Sequence, residues 1–312
     1  MRHVPVLLQT ILENISLEKG ASFIDCNLGD GGHSQAVIER LDGDCEIFGF
    51  DLDQDAIDRA TKNILDSVPA KEHRFDVSKL HLFRENFRTI TKTLEGASFK
   101  SKDLADAVLF DLGLSSYEID ESGRGFSFKR TERLSMTFSN DNDYSSSHTF
   151  TAYDVVNNWE EEDIANVIYA YGEDTFARRI AKAIVEKRTA QPISTTTELA
   201  ETVKAAVPAF VRRGKIHPAT KTFQALRIAV NDELRALEDA LPQAFEALKP
   251  GGKLAVLSYH SLEDRITKYF FKQKADLGAA TIVTKRPLTA SDEEIQANPR
   301  SRSAKLRILK KL

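Results

Sequence analysis

Apolar positions along the chain alternate between short solid runs and helically spaced stretches. Ser22-Phe23-Ile24-Asp25-Cys26 reads as a strand and breaks at Asn27-Leu28-Gly29-Asp30-Gly31-Gly32. From His33 to Arg40 the spacing turns helical, with Val37, Ile38 and Leu41 on one side. Glu46 to Asp51 predicts a second strand, Asp53 to Leu65 a second helix, and Leu80–Phe83 a third strand. Asp106-Ala107-Val108-Leu109-Phe110-Asp111 is almost wholly apolar, as a strand covered on both faces must be. Strand and helix in alternation imply a parallel α/β sheet. The pattern breaks after Asp111. Residues 117–147 are polar and rich in Ser, Gly and Asn, with low complexity only at Ser145–Ser147. Residues 153–208 are helical, with Thr195 and Glu198 spaced as a capping box. One long helix is expected from about Thr220 to Leu248, kinked at Pro242 and stopped by Pro250-Gly251-Gly252. Lys253 to Tyr259 returns as a strand, Leu262 to Lys272 as a helix, and Ala280–Thr284 and Lys305–Leu309 as last strands. The expected organisation is an α/β domain made of residues 1–118 and 220–312, interrupted by a helical insertion at 119–219.

Composition narrows the class. The 312 residues are 41% hydrophobic and 29% charged, as in ordinary globular proteins. No apolar run approaches the roughly 18 residues of a membrane span, so no membrane partner is expected. The first residues have neither a secretory apolar core nor an Arg- or Ser-rich transit pattern, which makes the cytoplasm the expected compartment. Cys26 and Cys45 are the only cysteines; they fall in strand-like runs and read as buried thiols. The seven histidines (3, 33, 73, 81, 148, 217 and 260) show no metal-ligand spacing, and no protein-bound metal is expected.

Net charge is −4, so bulk charge does not announce a nucleic-acid binder. Its distribution says more. Residues 285–312 carry eight Lys/Arg against three acids, a second cluster is Arg212, Arg213, Lys215, His217 and Lys221, and a third is Arg124, Lys129, Arg130 and Arg133. Each could be a solvated face; together they suggest a surface that meets phosphates.

Candidate chemistry concentrates at strand ends. A glycine turn after a first strand lets a ligand approach the backbone, and the helix behind it offers free N–H groups, a role open to Gly31 and Gly32. An acid ending the second strand, Asp51, can accept ribose hydroxyls. Both features suit nicotinamide enzymes and S-adenosyl-L-methionine (SAM) methyltransferases alike, although the turn is Gly-x-Gly-Gly rather than Gly-x-Gly-x-x-Gly. Asp111 ends the fourth strand, ahead of Leu112-Gly113-Leu114-Ser115-Ser116, where strand order should reverse and ligands should sit.

At these residues the chain resembles the RsmH (MraW) family of 16S rRNA cytosine-N4 methyltransferases along nearly its whole length. The matching stretches are His3 to Leu8, Gly31-Gly32-His33-Ser34, Phe87, Asp111 to Ser116, Arg124 to Phe128 and Tyr171-Gly172-Glu173. The second half adds His217 to Thr220, Thr222-Phe223-Gln224, Arg227, Val230-Asn231, Glu233-Leu234, Ser258, His260 to Arg265 and Asn298-Pro299-Arg300. The resemblance implies a class I SAM-dependent methyltransferase domain, Rossmann-like with a mostly parallel seven-stranded sheet, plus an inserted helical domain that recognises RNA. SAM would be the cofactor, held by positions matching Gly31, Gly32, His33, Asp51, Phe87, Asp111 and Glu118. The partner would be 16S rRNA within the small ribosomal subunit, at a cytosine of the decoding region; a homodimer is left open. Four departures stand out: Asn27 for the family's Thr, Glu118 for a Gln, and Ser135 and Thr137 for an Asp and an Arg.

For chemistry, Asp111 is expected to accept the N4 hydrogens of the cytosine, with a carbonyl of the Gly113–Ser115 turn as the alternative. His260 would bond the base or relay a proton, or else simply fix a helix start. The target base must be unpaired or flipped out, and Phe126 and Phe128 beside Arg124 and Lys129 would either stack on RNA or pack in the core. Two rival readings stay open: a SAM-binding ribosome-assembly factor with weak or lost catalysis, and a nicotinamide oxidoreductase.

Overall fold

The structure, a computed structural model, describes residues 5–67, 75–138 and 150–312. His3, Val4, His73, His148 and the Ser145–Ser147 tract lie outside the described residues. Two compact units form: Met1–Gly113 with Leu234–Leu312, and Leu114–Glu233.

The first unit is built on seven strands: β1 (Ala21–Asp25), β2 (Cys45–Asp51), β3 (Leu80–Arg84), β4 (Ala105–Asp111), β5 (Leu248–Ser258), β6 (Ala280–Ile282) and β7 (Lys305–Lys311). Their order is β3-β2-β1-β4-β5-β7-β6. The pairs along β3-β2-β1-β4-β5 are parallel, and β7 runs antiparallel to both its neighbours. This is the mostly parallel, Rossmann-like sheet expected.

The apolar runs explain the layering. All five residues of β1 are buried. Neighbouring side chains on a strand point to opposite faces. Ile24, Phe48, Val108, Phe110 and Val256 therefore join one core with Leu237, Leu241 and Phe245. Phe23, Ile47, Leu109 and Leu257 join the other with Ile11, Val37, Ile38 and Ile64. Cys26 and Cys45 are buried free thiols, as read from the sequence. Strand order reverses beside β1, with β2 on one side and β4 on the other. The crevice outside the C-terminal ends of these strands is where such sheets take ligands.

The second unit is helical. Helices Ala152–Asn158, Glu161–Gly172, Ala177–Ala190, Thr196–Ala206 and Thr220–Asn231 enclose a core that includes Val155, Ile168, Ile180, Leu199 and Leu226. The predicted Thr195–Glu198 capping box forms. Its limits differ from the expected 119–219. The helix Thr220–Asn231 belongs here because Ala219, Phe223, Leu226 and Val230 bury into this core. It approaches the helix Glu161–Gly172 so closely that a Cβ on Gly172 would lie 2.7 Å from the Lys221 carbonyl oxygen. Nor is there one long helix from 220 to 248. Asp232 turns left-handed at φ 50° and separates Thr220–Asn231 from Glu233–Ala247, which itself continues through Pro242.

Much of the basic C-terminal tail is consumed internally. The Arg307 side chain donates to Asp264 at 2.6 Å, and Lys311 donates to Asp103 at 3.0 Å and to the Leu248 carbonyl at 2.6 Å. Among the described residues, no helix is long and apolar enough to cross a membrane.

Phe48, fully buried in β2, tests the core. Phe48→Ala should cost about 3–5 kcal/mol of unfolding free energy in urea titration. Leu65→Ala, at a position 43% exposed, should stay within about 0.5 kcal/mol. Equal effects at the two positions would contradict the packing described.

Candidate active site

Three of the strands flanking the crevice, β1, β2 and β4, end in an aspartate: Asp25, Asp51 and Asp111. Asp25 is buried; its Oδ2 accepts the Ser34 hydroxyl at 2.7 Å and its Oδ1 accepts the Asn27 N–H at 3.3 Å. Burial pushes its carboxyl up to about 6, against the pull of His33 and Ser34.

His33 lies in the first turn of the helix Gly32–Arg40, with its ring buried. Its Nε2 is 3.3 Å from Asp111 Oδ2. Among the described residues neither ring nitrogen has a well-aligned hydrogen bond, and Asp111 is the polar group facing Nε2. Burial works against the imidazolium, but Asp111 and Asp25 outweigh it and raise the His33 pKa above its ordinary value.

Asp111 is the outer edge of this group: its side chain is 24% exposed, against 7% for His33. Its Oδ1 accepts the Tyr259 hydroxyl at 2.8 Å. Burial and the neighbouring Asp111 charge hold the Tyr259 phenol well above its usual range, so it remains a donor. Gly113, at φ 121°, leaves room for that ring; a Cβ there would stand 3.0 Å from Tyr259.

Asp51 closes the other end. Its Oδ2 accepts the Gly29 N–H and its Oδ1 the Asp53 N–H, both at 2.9 Å. Burial again raises the carboxyl to about 6. Each oxygen keeps a lone pair for a further donor. Phe87 opens a 3₁₀ turn (Phe87–Thr89) capped by Asn86, and its ring meets Phe110 edge-on at 5.5 Å.

The glycines divide the work differently from the sequence reading. A Cβ on Gly31 would sit 3.1 Å from Ala60 Cβ, and one on Gly32 would sit 2.5 Å from Pro5 Cγ. Both are glycine because other parts of the chain pack against them. The open glycine is Gly29, at φ 52° with nothing within 4 Å of a Cβ. The helix that follows has Gly31 at its N-cap and no side-chain cap, so its first N–H groups remain available to a ligand. With the buried, unpartnered Asn27 Oδ1, this edge fits an adenosyl-type cofactor.

Asp111, His33 and Tyr259 thus come together. His260 has a structural task. It is the N-cap of the helix Ser261–Asp276, in a capping box with Glu263. Glu263 Oε2 accepts the backbone N–H groups of Tyr259 and His260 at 2.8 and 3.1 Å. Glu118 belongs to the other unit, at the third position of the helix Ser116–Asp120. There its carboxylate accepts the Ser115 N–H at 2.7 Å. Phe126 is core, stacked on Phe138 at 5.7 Å, and Phe128 stacks on His217 at 4.5 Å.

Comparison with known proteins decides the family. The model of the MraW methylase family matches residues 1–312. The chain belongs to the MraW methylase family. Among curated relatives, ribosomal RNA small subunit methyltransferase H of Paenibacillus sp. is 39% identical, covering 100% of this chain and 99% of that protein. The protein of the same name from Symbiobacterium thermophilum is 42% identical over 99% of this chain and 96% of its own length. A solved rRNA methylase from Streptococcus thermophilus aligns at 11% identity over 100% of this chain and 99% of that one, with a TM-score of 0.44, too distant to add to the strand order. This MraW-family methylase is therefore an enzyme of the class I, Rossmann-like methyltransferase fold. A homodimer gains no support from these relatives.

A carboxyl raised on folding favours the native state only while protonated. For Asp25 that contribution is complete below pH 3.8 and disappears as pH climbs through about 6. Unfolding free energy should therefore decline between pH 4 and 6. Asp51, with a shift of like size, contributes equally. Asp25→Asn should roughly halve that decline, removing on the order of 3 kcal/mol of pH dependence in urea titrations. An unaltered slope would show that Asp25 ionises as it does in water.

Proposed function

We propose that this chain transfers the methyl group of SAM to the N4 amino group of a cytosine in the decoding region of 16S rRNA, within the small ribosomal subunit in the cytoplasm. The observation that carries the reading is the half-open Asp111, pinned by Tyr259 on one oxygen and backed by His33 on the other. The names of the relatives, ribosomal RNA small subunit methyltransferase H, support the small-subunit RNA as substrate.

Asp51, Gly29, the Gly31–His33 helix start and Phe87 would hold the cofactor, with the two raised carboxyls, Asp25 and Asp51, favouring its positive charge. When bound, SAM supplies a methyl group activated by its sulfonium. The protein's own task is to place the acceptor. A cytosine amino nitrogen is a weak nucleophile because its lone pair is shared with the ring. Asp111, accepting an N4–H, localises that pair and fixes its direction. Once N4 carries the methyl group, its surplus proton would leave to Asp111 or water. Alignment of this kind is worth roughly 7–11 kcal/mol in the best intramolecular cases. His33 backs one Asp111 oxygen, and the Tyr259 hydroxyl, donating to the other, sets its rotation. His260 acts as a positioning residue through the helix start beside Tyr259. The helical unit, Leu114–Glu233, would take the RNA.

Small subunits lacking the modification, incubated with tritiated SAM, should be labelled at one cytosine N4 by mass spectrometry of the RNA. Asp111→Asn should lower kcat by about 10²-fold or more, by analogy with loss of a positioned acid–base group, with the SAM Kd changed only a few-fold. SAM binding without transfer by the wild-type chain would favour the assembly-factor reading.

Tyr259→Phe frees one Asp111 oxygen while keeping the ring against Gly113. It should reduce kcat about tenfold or more, the value of one hydrogen bond of roughly 1.5 kcal/mol, and leave both KM values near wild type. A wild-type kcat would remove Tyr259 from the reaction.

A further inference from the structure

We propose that the turn Phe210–Ile216 of the helical unit is the element that grips single-stranded RNA, by stacking a base on Phe210 and holding phosphates with Arg212, Arg213 and Lys215. This rests on the rRNA reading above and deepens it.

The charge pattern comes first. Residues 202–231 carry six Lys/Arg and no Asp or Glu, in a chain whose net charge is −4. Some of these cations are occupied: Arg227 pairs with Glu233, Lys204 with Glu201, and Lys221 donates to the Glu173 carbonyl. The side chains of Arg212, Arg213 and Lys215 are exposed and have no ion pair or hydrogen-bond partner among the described residues.

Apolar exposure falls on the same turn. Phe210 is 72% exposed and Ile216 is 61% exposed. A folded chain gains nothing from a phenyl ring held mostly in water beside three free cations. Aromatic faces next to Arg and Lys are the chemistry of single-stranded RNA binding, where bases stack and phosphates find cations.

The turn is also held in shape. Pro208 caps the short helix Ala209–Arg212, the Arg213 N–H returns to the Ala209 carbonyl at 3.2 Å, and the Gly214 N–H returns to that of Val211 at 3.0 Å. Val211 packs against the core, and the Phe210 ring leans edge-on against Phe176 at 6.1 Å. At the other end His217 stacks on Phe128, which in turn meets Phe223 edge-on at 5.1 Å. A preset turn gives up little conformational freedom on binding. An anionic membrane could also attract cations flanked by apolar groups. The edge contact of the ring with Phe176, which leaves its face open, and the family's activity favour RNA.

The test compares the full-length wild-type chain with Phe210→Ala and with the triple variant Arg212→Gln/Arg213→Gln/Lys215→Gln, using unmodified small subunits, naked 16S rRNA and vesicles of anionic phospholipid. Loss of one base stack should raise the KM for subunits about tenfold. The triple variant should flatten the log–log dependence of RNA affinity on salt by about 2, since each phosphate contact contributes roughly 0.7–0.9. SAM Kd and kcat at saturating subunits should stay at wild-type values, which also shows that the variants fold. Unchanged KM and salt slope in both variants would overturn the assignment, as would a loss confined to vesicle binding. If the wild-type chain transfers no methyl group at all, the activity reading fails, while the salt slope on naked rRNA still decides this one.

Discussion

The His33 ring lies out of water, 3.3 Å from Asp111 and near enough to Asp25 for both carboxylates to raise its pKa. Two acids ending adjacent parallel strands would repel, and one of them would take a proton in so dry a place. The His33 imidazole offsets that repulsion, since both carboxylates favour its protonated form. Everything the site does depends on this balance. The rotation of the outward-facing Asp111 carboxyl is set by the Tyr259 hydroxyl, and the buried His33 ring lies behind it.

The strand-end acids explain why so much was legible in the sequence. β1, β2 and β4 are nearly unbroken apolar runs, and each stops at an aspartate, so both the sheet and two of its acids could be read directly. Asp25 carries the same signal, but the Cys26 that follows it extends the apolar run and hides the strand end. Tyr259 and Gly29 gave no such signal. Tyr259 matters because β5 pairs with β4 and carries its hydroxyl to Asp111, a tertiary fact with no local pattern. Gly29 differs from Gly31 and Gly32 only in what lies opposite it. The break at Asp232 was hidden for a related reason: the apolar period runs on across it, and only the left-handed backbone ends the helix.

Charge counting failed in an instructive way. The C-terminal tail holds the densest run of cations, but strand β7 lays Arg307 against Asp264 and Lys311 across carbonyl oxygens. A count sees acids in the same segment and misses both distant acids and carbonyls. Among the described residues, the side chains of the less dense cluster at Arg212–Lys215 pair with neither, and so they stay available to phosphate.

Three of the departures from the family pattern, Ser135, Thr137 and Glu118, are absorbed locally, and their chemistry shows how. Ser135 and Thr137 are buried, at 6% and 1% exposure, and their hydroxyls meet at 3.0 Å. A buried Asp/Arg pair needs both members, because either one alone leaves an uncompensated charge out of water. Two hydroxyls in the same places satisfy each other without any desolvated charge, so joint replacement is tolerable where a single one is not. Glu118 follows the same logic: its carboxylate closes a capping box with Ser115, a use in which a glutamine oxygen serves equally. What the exchange alters is charge, one negative carboxylate in place of a neutral amide. The consequence falls on whatever ligand reaches that helix, while the backbone that presents it stays the same.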